Sequence, residues 1–98
     1  MNDTTMLAGR ILADLDYAGR QLVRFSCVHR AVDALERVEE CLKNPQGYFV
    51  RPTTPEVLAQ FTCLGERAAT ALQMAVDRNE VALVAVEGLR AQIAKLAD

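Results

Sequence analysis

Apolar residues recur at steps of three and four along almost the whole chain, and the pattern is interrupted once. From the amino terminus it runs Leu7, Ile11, Leu15, Ala18, Leu22, Phe25, Val28, Val32, Leu35, Val38 and Leu42, the spacing of one buried helical face. Asn44-Pro45-Gln46-Gly47 and Arg51-Pro52-Thr53-Thr54-Pro55 then bracket a short apolar insert, Tyr48-Phe49-Val50. The residue before a proline avoids the helical region and glycine supplies left-handed geometry, so the first helical stretch ends here. Helix resumes with Thr54 as N-cap, Pro55 at the first helical position and Glu56 near the positive end of the dipole. Its stripe is Val57, Phe61, Leu64, Ala68, Leu72 and Ala75 or Val76. Asp77 and Glu80 have capping-box spacing and open a final helix with Ala82, Val86, Leu89, Ile93 and Leu96 on one face. Its first turns, Val81 to Val86, are apolar nearly all round, a pattern that predicts burial on several sides.

No proline interrupts residues 4–43, with Asp3 or Thr4 as the cap, and they read best as one long helix. The stripe rotates between Phe25 and Val32, which predicts a bend or a change of packing partner. Gly19, weak in a helix interior, and Ser26, a capping residue type, are where it would divide in two. Three pairs of acid four residues before base support this stretch: Asp16 with Arg20, Asp33 with Arg37 and Glu39 with Lys43. At 1.5 Å per residue such a helix reaches roughly 60 Å and needs a neighbour along its length. The expected fold is therefore all-α: a three- or four-helix antiparallel bundle with one long N-terminal helix, forming a single helical domain over 1–98 and paired as a homodimer. Leu15, Leu22, Phe25, His29, Val32, Leu35 and Val84 are the positions expected in its core or dimer interface.

Composition adds mainly exclusions. The chain has 98 residues, is 51% hydrophobic and carries a net charge of −2. It is too apolar for a disordered segment and generous for a small monomer, which favours apolar surface covered by another chain. Residues 1–50 carry six Lys/Arg against seven Asp/Glu, and residues 51–98 carry five against six. Neither half offers the basic patch that releases counterions from phosphates, which argues against nucleic acid. The longest apolar run is far too short to span a bilayer, and the start lacks the pattern of a secretory signal. Three widely spaced cysteines, Cys27, Cys41 and Cys63, suit reduced thiols in a cytosol. On a helical wheel all three fall away from the main stripes. Abundant Ala, Leu and Arg give the chain a bacterial character.

Catalytic and cofactor chemistry is not written in this sequence. His29 is the sole histidine and sits on the apolar stripe, where it reads as a core or interface residue. The cysteines lack the paired close spacings of a zinc site. Only Arg24 and Arg30, flanking Cys27, would lower a thiol pKa. Glu36, Glu39 and Glu40 form an acidic turn without the histidines that accompany carboxylates in helical metal sites. There is no phosphate loop and no nucleophile elbow. No cofactor, metal or catalytic residue is assigned, and the chain reads as a non-enzyme. Arg10, Arg20 and Arg24 lie opposite the first stripe as a solvated face that can meet an acidic partner. The segment 46–52 is the best local candidate for recognition, because it sets Tyr48, Phe49 and Arg51 on a loop and such residues are enriched at binding hot spots. Its alternative role is an apolar plug closing the end of the bundle. With Arg20 and Arg24, these three residues are the expected partner-binding set.

The reading that follows is a cytoplasmic protein–protein interaction module. It would be a regulatory inhibitor of the anti-activator type, occluding a partner such as a transcription regulator with exposed apolar helix faces. A dimeric secretion or folding chaperone, a helical DNA-binding regulator and a purely structural bundle are the alternatives.

Overall fold

The computed structural model describes residues 3–23 and 27–97. These form five α-helices and one 3₁₀ turn: α1 (Asp3–Leu22), α2 (Val28–Lys43), the turn Pro45–Tyr48, α3 (Pro55–Thr62), α4 (Gly65–Val76) and α5 (Ala82–Ala97). No strand occurs among the described residues.

The single long N-terminal helix expected over 4–43 is not formed. Gly19 lies inside α1, and the chain reverses after Leu22, so that α2 returns antiparallel along α1 and Arg37 meets Asp14 at 3.2 Å. The cause is the rotation of the stripe. Two apolar faces out of phase cannot both be buried on one straight rod, whereas folding back buries them against each other within one chain at a small loop-closure cost. The longest dimension is 40 Å, well short of the expected rod. The need for a neighbour along a long helix, which favoured a dimer, therefore disappears. The proposed cap Ser26, together with Arg24 and Phe25, lies outside the described residues.

α2 sits between α1 and α4, so its buried face is wider than one stripe. Val28, Ala31, Ala34, Leu35, Val38, Cys41 and Leu42 are all buried. Cys41, expected off the stripe, is thus a core residue. Conversely, starting the helix at Val28 turns His29 outward, and it is exposed. Leu15, Leu22 and Leu35 are fully buried, while Val32 is half-buried.

After the 3₁₀ turn the expected cap is in place: Thr54 Oγ1 accepts from the Val57 N–H at 3.3 Å and Pro55 opens α3. The helix expected to run on to Val76 divides at Cys63 and Leu64. There the Thr62 hydroxyl donates to the Ala59 carbonyl at 3.4 Å and the Cys63 thiol to that of Gln60 at 3.4 Å. Such back-bonding competes with continued helix. Gly65 then starts α4 beside Lys43, so α4 runs antiparallel to α2.

α4 ends in a Schellman motif: the Asn79 N–H donates to Met74 O at 2.9 Å and the Arg78 N–H to Ala75 O at 3.1 Å, with Arg78 in the left-handed region at φ 54°. The expected Asp77/Glu80 capping box does not form. Asp77 accepts instead from the Gln73 side chain, and Asn79 Oδ1 takes the Val81 N–H at 2.8 Å. The left-handed turn at Arg78 swings Asn79 rather than Asp77 onto the start of α5.

α5 lies antiparallel to α1, with Gly19 facing Leu83 and Asp16 paired to Arg90. Of the expected four-apart pairs only Glu39–Lys43 appears, at 3.5 Å. Asp16 and Arg37 are drawn instead to Arg90 and Asp14 on neighbouring helices. The buried apolar residues, Val28 apart, join into one cluster spanning α1 to α5, with no buried polar or charged side chain among the described residues.

Candidate interaction surface

The loop after α2 is held inward. Phe49 meets Phe61, which is fully buried, edge-on at a ring distance of 6.1 Å. Tyr48 lies under the Arg10 guanidinium at 5.0 Å and its hydroxyl donates to the Cys41 sulfur. Both aromatics are half-buried against the core cluster. Pro45 is buried, whereas Val50 and Arg51 face solvent. The segment thus has the geometry of the apolar plug, leaving only its tip free.

The Cys41 thiol is pushed above its ordinary 9.0, first by burial, against the lowering effect of the Tyr48 hydrogen bond. That same bond holds the Tyr48 phenol above its ordinary 10.0. The pair favours neutral groups, the reverse of an activated thiolate. Cys27 is half-buried and Cys63 exposed, and all three are free thiols.

Of the predicted basic face, the two described residues, Arg10 and Arg20, are each engaged with an aromatic ring. Arg10 is spent on Tyr48, and Arg20 leans on the Tyr17 ring at 6.0 Å. Arg20, Arg30 and Arg37 line a polar groove of ≈ 440 Å³ between α1 and α2, but Asp14 and Asp33 share it and Asp14 already holds Arg37. Among the described residues no three His, Cys, Asp or Glu side chains gather as metal ligands. No described helix is long and apolar enough to cross a membrane.

What the structure does bring together is apolar. The antiparallel packing places the end of α1, the end of α4 and the start of α5 at one end of the bundle. Four exposed valines sit there: Val23 at 64% exposure, Val76 at 53%, Val81 at 50% and Val84 at 64%. Val81 and Val84, expected to be buried within the apolar run, are therefore on the surface, because among the described residues α5 packs mainly against α1 and α4. Beside them, between α4 and α5, lies a groove of ≈ 360 Å³ whose floor includes Ala85, Gly88 and Leu89.

None of Val23, Val76 and Val81 was among the expected partner-binding residues; of the two stripe alternatives on α4, Ala75 is buried and Val76 is exposed. A signal for α5 was present. Val81, Val84, Gly88 and Ala91 form a second set at steps of three and four, opposite the core set Ala82, Val86, Leu89 and Ile93. A helix with two such faces buries one in its own bundle and offers the other. Comparison of the chain with protein-family models, with curated proteins and with solved structures gave no match.

Proposed function

We propose that this chain is a non-enzymatic protein-binding module, a small regulatory inhibitor of the anti-activator type. Its apolar bundle end would occupy a helix-binding surface of a partner such as a transcription regulator. The observation that carries this reading is the exposure of Val23 and Val76 at the ends of α1 and α4, with Val81 and Val84 beside them at the start of α5, on a bundle whose core is apolar. Each exposed valine costs hydration free energy that only another apolar surface recovers, about 1.5–3 kcal/mol for a side chain fully buried. Scattered exposed hydrophobics are ordinary, whereas four at one end of so small a body mark an interaction site. Occlusion needs no chemistry beyond shape and apolar complementarity, with the polar rim setting selectivity. Three free thiols suit a reducing cytosol for this work.

The test is affinity capture from native lysate with the tagged chain and with a Val23→Glu/Val76→Glu double variant. The expected result is a stoichiometric folded partner on the parent chain that is lost from the variant, with helicity by circular dichroism unchanged. Equal recovery on both, or no partner on either, contradicts the reading.

A further inference from the structure

The outward face of α5 has a shape that fits itself. Val84 stands out as a knob at 64% exposure. One turn further on, Gly88 opens a hollow, floored by Leu89, with Ala85 and the α4 residue Thr70 beside it. A side chain added at Gly88 would meet nothing within 4 Å. Val81 and Ala91 repeat the relation further out, a bulky residue before the centre and a small one after it, both exposed. Two copies of α5 laid antiparallel about a twofold axis near residue 86 bring Val84 of each over Gly88 of the other. The same operation brings Val81 over Ala91. Both relations are satisfied twice by one axis, as an isologous contact requires.

Charge agrees with shape. The rim on the α1 side carries Arg20 and Glu87 beside the paired Asp16 and Arg90, and the rim on the α4 side carries Glu66 and Arg67. Each rim is balanced, so two copies approach without net repulsion, whereas a strongly acidic or basic partner would gain nothing from it. Antiparallel helix dipoles add a small favourable contribution.

From this we infer that the knob and hollow on α5, Val84 and Gly88, form a twofold interface with a second copy of this chain. The pairing needs no heterologous partner and leaves Val23 and Val76 uncovered, so the mass of the purified chain tests it whatever a lysate yields. The measurement is sedimentation equilibrium on the full chain and on two variants. The parent is expected at twice its 10.8 kDa. Gly88→Leu fills the hollow at a position open in the single chain and raises helix propensity, so it is expected to fold at least as well yet sediment as a monomer. Val84→Glu buries a charge at the same contact and is expected to weaken pairing by about a hundredfold. A monomeric parent at high micromolar concentration overturns the inference. So does a Gly88→Leu chain that pairs as tightly as the parent.

Discussion

At the scale of single residues, the Cys41–Tyr48 contact ties the loop plug to the core. Burial raises the Cys41 thiol and the shared hydrogen bond raises the Tyr48 phenol, so the folded chain holds both protons more tightly than the unfolded one. As pH rises past the ordinary thiol value of 9.0, the unfolded chain deprotonates first. Stability, complete below that point, falls above it. Urea titrations from pH 7 to 10.5 are expected to show this alkaline loss. Cys41→Ala is expected to flatten it, because the main cause of the Tyr48 shift leaves with the sulfur. An unchanged alkaline slope in the variant would contradict the account. In the native chain, alkylation followed by mass mapping should modify exposed Cys63 first and Cys41 last.

At the scale of elements, two helix ends make opposite predictions. Thr54 caps α3 with its hydroxyl, so Thr54→Ala should cost about 1 kcal/mol in thermal unfolding. Arg78 occupies the left-handed position of the α4 Schellman motif, where glycine pays no Cβ penalty. Arg78→Gly should therefore stabilise by about 1 kcal/mol, and a destabilised variant would refute the assigned geometry. The sequence made the Thr54-Pro55 start readable because cap and proline act locally. The reversal between α1 and α2 was half legible: the rotating stripe and Ser26 mark where the stretch could divide, but neither proline nor glycine forces a turn there, so it reads as one long helix. The division at Cys63 was hidden, because Thr62 and Cys63 end α3 with side-chain bonds that leave the apolar spacing intact. His29 was misplaced because the phase of the first face was carried past the bend, and Cys41 because α2 buries a face wider than one stripe. The outward face of α5 was readable in Val81, Val84, Gly88 and Ala91, but a run apolar on all sides looks the same whether its second face is covered by its own chain or by another.

At the scale of the whole molecule, the described residues bury no polar side chain, and apart from Met6 and Val50 the exposed large apolar residues gather at one end of the bundle and along α5. Those two places divide the work. The α5 face has the symmetry of a self-contact, and the ends of α1 and α4 remain for a different protein. The most direct test of the partner surface is amide hydrogen exchange on the captured complex against the free protein. The account predicts slowed exchange in the last turns of α1 and α4, around Val23 and Val76, with segment 46–54 unchanged. Slowing confined to 46–54, or to the polar groove between α1 and α2, would contradict it and move the interaction site to the loop or to the arginines.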